Sequence, residues 1–461
     1  MNMEKELLFE RKNGFEGINP EKKNEIYDFC EDYKNAITLA KTEREFCELS
    51  VSLLKKAGFL PLEDMAKLKA GDRVYAVNRG KGVTAFVIGE EDIENGLNMV
   101  GAHIDSPRLD LKPNPLYEDG GMAYLKTHYY GGIRKYQWLN IPLSLHGVVF
   151  KQNGERVDVN IGEDKDDPVF CIADLLPHLA QGQSAKKLSE AFEAEKLNII
   201  VGNIPADVDK NKIKYGVMKL LNDKYGICER DFITSELELV PAYPARDTGL
   251  DRSMITAYGH DDRVCAYTAL RAIIDIKSPK KTAVCLLVDK EEIGSLGNTG
   301  MQSRFFENTL ARVCEKLKGS YNELYLKNCL STSACLSADV GAAFDANYPE
   351  VYERGNSAYM NEGLLVTKYT GARGKSSASD ANAEFVSKVC RIFDENDVKW
   401  QCAELGKIDV GGGGTIACYL ANMDIDVIDV GVPLLAMHAP YEIAGKFDVY
   451  MAYKGYKAFM E

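Results

Sequence analysis

The spacing of hydrophobic and polar residues follows two different patterns along the chain. Up to about residue 110, and again after 255, apolar runs such as Leu97–Ala102 are separated by segments with helical periodicity. Between 111 and 248 the runs are short and alternating, and Gly, Pro and Asp interrupt them. Short alternating runs indicate strands exposed on one face. We therefore predict a discontinuous α/β domain, 1–110 and 249–461, interrupted by a β-rich domain at 111–248.

Local signals locate the first elements of this α/β domain. Asn19-Pro20 is a typical helix start, with a capping Asn and a Pro in the first turn. Thr42 and Glu45 have the spacing of a capping box for a second helix, which ends near Gly58. The strands predicted before residue 110 cover 73–78, 83–88 and 97–102, the first two forming a hairpin.

After residue 255, predicted helices and strands alternate. The helices cover 263–276, 305–318, 378–395 and 441–459, and the strands cover 282–289, 333–338, 398–403 and 425–431. Strands that alternate with helices form mostly parallel sheets with helices on both faces. The predicted fold class is therefore α/β, with a mostly parallel central sheet and an inserted β-rich domain.

Composition and net charge argue against some classes of binding partner. A chain of 461 residues with 45% hydrophobic and 27% charged residues is typical of a soluble globular protein of about two domains. Its net charge of −13 disfavours nucleic acid and anionic membrane surfaces as partners. No apolar run approaches the ~20 residues of a membrane span, and the N-terminus lacks the apolar core of a secretory signal. We expect a cytoplasmic protein.

The cysteines indicate neither disulfides nor a thiolate metal site. All 12 are scattered, and no C-x-x-C pair occurs. Most lie within apolar runs, as Cys285 does, which is typical of buried small hydrophobic residues. The candidate metal ligands are therefore imidazoles and carboxylates.

Such side chains occur in five short segments, at or beside the ends of predicted elements. The segments are Gly-Ala-His103-Ile-Asp105, His260-Asp261-Asp262-Arg263, Asp289-Lys-Glu291-Glu292, Ser-Ala-Asp339-Val and Ala-Met-His438-Ala-Pro. Open α/β sheets bind ligands beyond the carboxyl ends of their strands, so residues distant in sequence can meet at one edge. Imidazoles and carboxylates are suitable ligands for a pair of divalent metals. The set predicts a metallohydrolase.

The spacing within these motifs suggests roles. His103 and Asp105, two apart on extended backbone, face the same way, so Asp105 can accept the second ring N–H and orient a ligating His103. Of Asp261 and Asp262, one can bridge two metals while the other has a structural role. Each motif alone also fits a structural role, as a hydrogen-bonded pair, a helix cap, a turn or solvated acids.

Read in order, the five segments resemble the M18 family of metalloaminopeptidases, whose best known members are the aspartyl aminopeptidases. The resemblance extends over nearly the whole chain and includes the C-terminal stretch that carries His438. It implies a dinuclear zinc exopeptidase fold and two divalent metals per subunit, zinc first, with cobalt or manganese as alternatives. It also implies the following roles: His103 and His438 on one metal each, Asp261 bridging, Glu292 and Asp339 completing the shells, Asp105 orienting His103, and Glu291 as general base.

The same resemblance implies assembly and specificity. The inserted domain would mediate dimerisation within a tetrahedral homo-oligomer of twelve subunits, and His178 of a neighbouring subunit would help to hold the oxyanion. Lys368 falls where aspartyl-specific members use a lysine to bind an acidic side chain. Peptides with a free N-terminus would be the substrates, and the preferred N-terminal residue, acidic, neutral or basic, stays open.

Two other hypotheses fit part of the sequence. A related two-metal amidohydrolase, such as a deacylase or carboxypeptidase, could use the same ligands on another amide. The long insertion between the first two motifs opposes it. A non-catalytic oligomeric scaffold could retain the fold, but Glu291 and all five presumed ligands are present.

Overall fold

The computed structural model describes residues 7–8 and 11–461 and forms two compact units. The first unit contains the chain up to Asp105, Ala245–Met437 and Glu442–Glu461. The second contains Ser106–Pro244 and His438–Tyr441. The N-terminal stretch in which we expect no secretory signal lies, apart from Leu7 and Leu8, outside the described residues.

The elements follow in chain order. The first unit begins with α1 (Pro20–Leu39), α2 (Glu43–Lys56), β1 (Leu60–Pro61), β2 (Arg73–Val77), β3 (Val83–Val87) and β4 (Leu97–His103). The second contains β5 (Arg108–Asp119), β6 (Met122–Tyr130), β7 (Leu143–Phe150), β8 (Arg156–Ile161), α3 (Gln181–Ser184), α4 (Leu188–Ala191), β9 (Ile199–Gly202), α5 (Lys212–Tyr225) and β10 (Ser235–Pro241). The first unit resumes with β11 (Arg246–Thr248), β12 (Met254–Ala257), α6 (His260–Asp275), β13 (Thr282–Val288), α7 (Phe305–Lys318), α8 (Glu323–Ser331), β14 (Ala334–Ser337), β15 (Gly341–Ala342), β16 (Leu364–Thr367), α9 (Ala383–Glu395), β17 (Trp400–Cys402), α10 (Ala417–Ala421), β18 (Asp426–Gly431), β19 (Pro433–Leu435), β20 (Glu442–Gly445) and α11 (Lys446–Met460).

A nine-stranded sheet forms the centre of the first unit, in the order β1-β2-β3-β13-β4-β14-β18-β16-β17. Its four central strands, β13, β4, β14 and β18, are parallel, while β3 and β16 join them antiparallel. One face of the sheet packs on α1, α6 and α11, and the other on α7, α8 and α10. The predicted α/β class with helices on both faces is confirmed.

The helix starts predicted from local signals are also confirmed. The Asn19 side chain accepts a hydrogen bond from the Lys22 N–H at 2.7 Å, and a Pro opens α1. Thr42 and Glu45 form the capping box of α2. These signals succeed because each involves only neighbours along the chain.

Other predicted boundaries are wrong. The last helix, predicted over 441–459, begins only at Lys446, because Glu442–Gly445 forms β20 and pairs with β12 and β19. The helix predicted from residue 378 begins at Ala383. In addition, the structure contains α5, α8, α10 and β16, which are absent from the predicted elements. At Glu442–Gly445, pairing with strands distant in sequence overrides the local preference for a helix.

The second unit is built on a six-stranded sheet in the order β8-β7-β10-β5-β6-β9. Every neighbouring pair in it is antiparallel. Buried Ile213 and Val217 of α5 contribute to the unit's apolar interior. Among the helices of both units, none in the described part of the chain has the length and apolar character needed to cross a membrane.

Candidate metal centre

The parallel strands end together at one edge of the nine-stranded sheet. His103, the last residue of β4, is in register with Val288, the last residue of β13. On the other side of β4, Gly101 pairs with Ser337, so Asp339 follows β14 at the level of His103. The carboxyl ends of parallel strands therefore bring the candidate residues to one edge.

His103 lies at the centre of the candidate site. Its buried ring places Nε2 at 3.1 Å from Oδ1 of Asp261, 3.9 Å from Oδ1 of Asp339 and 4.0 Å from Oε2 of Glu291. Its Nδ1 lies 3.0 Å from the carbonyl oxygen of Asp105 and 3.3 Å from Oδ1 of the same residue. Because these oxygens accept, Nδ1 carries a hydrogen, which leaves Nε2 as the ring nitrogen that could bind a metal.

Asp105 also accepts backbone hydrogen bonds from the two glutamates, a role that its spacing from His103 did not indicate. Its Oδ1 accepts the backbone N–H of Glu291 at 3.1 Å, and its Oδ2 accepts that of Glu292 at 3.2 Å. The two glutamates open a short 3-10 turn, Glu291–Ile293, directly after β13. One carboxylate thus holds both the imidazole and the turn that carries the two glutamates.

Two sets of side chains have the geometry to hold a metal ion. His103, Asp262 and Asp339 form one set, and His103, Asp261 and Glu292 the other, with their ligand atoms within 4.8 Å of one another. From the sequence, either Asp261 or Asp262 could bridge two metals, and the family resemblance chooses Asp261 and gives Asp262 no ligand role. Both carboxylate oxygens of Asp262 are buried, beside the Cys265 thiol and the backbone of His103. An ionised carboxylate in that setting requires a cation.

The electrostatics point the same way. Burial raises the pKa of Asp262 well above its usual range, although His103 lowers it. Burial and the Asp262 charge likewise raise the pKa of Asp339. Burial alone would lower the pKa of His103, but its hydrogen bonds with Asp105 and Asp261 raise that pKa well above the usual range. Several acids crowded around one imidazole fit divalent cations, which would relieve their mutual repulsion.

Neighbouring polar residues fix the start of α6. The Asp261 N–H donates to Oε2 of Glu442 at 3.0 Å, an acid the sequence did not single out. His260 is structural: its Nε2–H donates to the Ile255 carbonyl at 3.1 Å, and its Nδ1 accepts from the Tyr33 hydroxyl at 2.7 Å. Burial lowers the pKa of His260 to about 3.

Three further residues are predicted from the sequence to take part in the site: His438, His178 and Lys368. His438 belongs to the second unit, where its Nδ1 lies 2.9 Å from the carbonyl oxygen of Gly132. A side chain on Gly132 would place Cβ 3.2 Å from that nitrogen. His178 is exposed on a 3-10 turn of the second unit, and Lys368 is exposed directly after β16.

Known proteins are similar to this chain over nearly its whole length. The sequence profile of the Aminopeptidase I zinc metalloprotease (M18) family matches residues 36–460. A protein of Clostridium acetobutylicum named "Probable M18 family aminopeptidase 1" is 52% identical over 464 residues, covering 99% of this chain and 100% of its own.

Solved structures share the fold. The crystal structure of an M18-family aminopeptidase from Thermotoga maritima, 47% identical, superposes with a TM-score of 0.95 and covers 98% of this chain and 100% of its own. The S. cerevisiae mApe1 dodecamer, 22% identical, superposes with a TM-score of 0.76 over 94% of this chain and 96% of its own. With a family match across nearly the whole chain and an edge of buried acids around one imidazole, the chain belongs to the M18 aminopeptidases, a family of zinc metalloproteases.

Proposed function

We propose that the protein removes the N-terminal residue of peptides at the His103 edge of the nine-stranded sheet. The observation that carries the proposal is the contact set of His103: its Nε2 faces Asp261 and Asp339, and Glu291 reaches to 4.0 Å. Ligands and a candidate base therefore share one small volume. Two-metal hydrolases require that arrangement.

We propose that His103, Asp261, Glu292, Asp339 and His438 would hold two divalent metals, with Asp261 as the bridging ligand. The family description supports zinc, and cobalt or manganese would suit the same ligands. When bound, the metals polarise the scissile carbonyl and make an attacking water more acidic. Asp105 keeps His103 in the ligating tautomer, and Asp262 adds a buried negative charge beside Asp339.

Glu291 is the proposed general base. It takes a proton from the attacking water and passes it to the leaving amine, so that one amino acid and a shortened peptide are released. The Asp105 hydrogen bond to its backbone N–H limits the positions open to its carboxylate. An N–H of His178 from a neighbouring subunit would donate to the oxyanion as the carbonyl becomes tetrahedral.

Lys368 is the proposed contact for an acidic substrate side chain. Its exposed side chain follows β16 in the first unit, a place comparable to that of the lysine in aspartyl-specific members. A charged contact of this kind would favour Asp or Glu at the peptide N-terminus over neutral and basic residues. Lys368→Met should remove an acidic preference without lowering kcat for neutral substrates.

We further propose a cytoplasmic homo-oligomer, a dodecamer assembled from dimers. The family resemblance and the fold shared with the mApe1 dodecamer support this assembly. The insertion predicted at 111–248 would form the dimer contact, and the rest of the chain, 1–110 and 249–461, would form the catalytic domain. Cysteines without the spacing of a disulfide framework support the cytoplasmic setting.

The deciding experiment compares the parent with Glu291→Gln at equal metal loading. The substrates are acidic, neutral and basic amino-acid p-nitroanilides and short peptides, each also prepared with a blocked amino group. We expect cleavage of free N-termini only, and a loss of kcat of at least about 100-fold in the variant. Cleavage of blocked substrates would favour the deacylase or carboxypeptidase alternative, and no cleavage at all would favour the scaffold.

A further inference from the structure

The loop that carries Glu291 and Glu292 is closed at its base by three polar side chains. The loop leaves β13 at Asp289 and returns at Gly300, which forms a parallel β-bridge with Asp289. The backbone N–H of Asp289 donates to the Thr299 carbonyl at 3.3 Å. Residues 290–298 therefore form a closed loop, and this loop contains Glu291 and Glu292.

Side chains reinforce this closure. The Thr299 hydroxyl donates to Oδ2 of Asp289 at 2.6 Å. Nζ of Lys290 donates to the same carboxylate oxygen at 3.1 Å and to Oγ1 of Thr299 at 2.8 Å. Asp289 and Thr299 are buried, and Lys290 is half-buried. We call these three residues the Asp289 clasp.

The backbone of Lys290 determines where the two glutamates point. Its φ of 67° and ψ of 18° are left-handed, a conformation that residues other than glycine seldom adopt. The next N–H along the chain is that of Glu291, which donates to Asp105. If Lys290 relaxed to a common conformation, both glutamate N–H groups would turn away from Asp105. Side-chain contacts are what hold such a residue in place.

Charge gives the clasp a second effect. Burial raises the pKa of Asp289, and the charges of the two acids that face it, Glu43 and Asp105, raise it further. Lys290 and Thr299 act in the opposite direction, as the ammonium and hydroxyl that contact Asp289. Without the ammonium of Lys290, the buried Asp289 charge would repel Asp105, the residue that anchors Glu291.

We propose that the Asp289 clasp positions the catalytic carboxylate of Glu291, so that Lys290 and Thr299 are positioning residues of the reaction. They act through the loop backbone that carries Glu291, and neither is among the proposed metal ligands. This inference rests on the proposed function, in which Glu291 is the general base.

The test uses a matched pair of substitutions at Thr299 and a control at Thr309. Thr299→Val keeps the shape and removes the hydroxyl, whereas Thr299→Ser retains it. Thr309 is a similarly buried threonine of the first unit, whose hydroxyl donates to the Phe305 carbonyl in its own helix, at 2.8 Å. For each protein, kcat, KM, bound metal per subunit and the thermal midpoint are measured with the best substrate of the parent.

We expect Thr299→Val to lower kcat about tenfold or more with KM and metal content unchanged, since small misplacements of a catalytic group are costly. Thr299→Ser should recover most of the loss. Thr309→Val should lower the thermal midpoint and leave kcat unchanged. Lys290→Met, which removes both ammonium contacts, serves as a second variant should Thr299→Val not fold, and it should lower kcat in the same way.

Two results would overturn the inference. One is a kcat within about twofold of the parent in both Thr299→Val and Lys290→Met. The other is a fall in metal content that accounts for the lost activity, because the clasp would then support the metals and not the base. A parent that cleaves no peptide refutes the proposed function instead. A parent that is active, is inactivated by Glu291→Gln and is insensitive to the clasp variants refutes this inference alone.

Discussion

Several acidic side chains lie close together around His103, at one edge of the nine-stranded sheet. Asp261 and Asp339 face the same nitrogen of His103, and buried Asp262 lies beside them. The raised pKa values of Asp262 and Asp339 express the difficulty of keeping so many carboxylates ionised without a cation. Divalent metals would supply the missing positive charge, and protons would compete with them for the same atoms.

Asp262 provides a direct test at this scale. Asp262→Asn keeps the shape and removes one negative charge from the site. We expect about a tenfold loss of metal affinity, the usual effect of removing a supporting acid, measured by calorimetric titration of the metal-free protein with Zn²⁺. Asn356→Asp, a surface substitution outside the site, should leave affinity unchanged. Unchanged affinity in Asp262→Asn would mean that Asp262 is protonated even when the metals are bound.

His260 makes the protein sensitive to acid. Its pKa is lowered from 6.5 to about 3 by burial, so between these values the unfolded chain binds a proton that the folded protein does not. Its contribution is complete above pH 6.5 and is lost as the pH falls towards 3. Urea unfolding of the metal-free protein between pH 7 and pH 4 should show a shallower loss of stability in His260→Gln than in the parent. Parallel curves would mean that His260 does not stay neutral in the fold.

At the scale of elements, most of the site comes from strand ends. Parallel pairing of β13, β4 and β14 aligns the segments that carry His103, Glu291 and Asp339. Turns after the strands then set the direction of each side chain, as the left-handed Lys290 does for Glu291. Helices α1 and α2, which begin at strong caps, contribute buried residues to the apolar layer on one face of this sheet.

Substitutions at the N-cap of α2 should change the stability of the protein without changing its activity. Thr42 accepts the Glu45 N–H, and Glu45 in turn accepts the Thr42 N–H. Thr42→Ala should cost about 1 kcal/mol of unfolding free energy, whereas Thr42→Ser should cost little because the hydroxyl is retained. Denaturant titration of both variants measures the difference. We expect kcat to be unchanged in both, and a drop in kcat in Thr42→Ala would show that α2 affects the site.

For the whole molecule, the central question is whether one active site uses two chains. We propose that Glu291 acts with His178 of a neighbouring subunit, so each single variant, His178→Ala and Glu291→Gln, should be nearly inactive. Refolding an equal mixture should then restore activity, because some Glu291-bearing subunits acquire an intact His178 from a partner. Random pairing predicts about a quarter of the parental activity. No recovery, with mixed oligomers confirmed by mass, would place both residues in one chain's site or remove His178 from the reaction.

Much of this protein is determined by its sequence alone. The alternation of apolar strands and amphipathic helices specified the α/β class, and the caps at Asn19 and Thr42 specified two helix starts, because these signals depend on neighbours along the chain. The five motifs in order also identified the family. His103, Asp105 and Glu291 could be chosen as candidates because each lies at the end of an apolar run.

Only the tertiary structure decided which groups meet. It made Asp262 a neighbour of Asp339, made Asp105 the anchor of the Glu291 turn and enclosed His260 as a structural residue. It also turned Glu442–Gly445 into a strand where the local pattern predicted a helix. The physical reason is common to all four. Contacts, burial and charge interactions between residues far apart in sequence exist only after the chain has folded, and no local pattern encodes their distances.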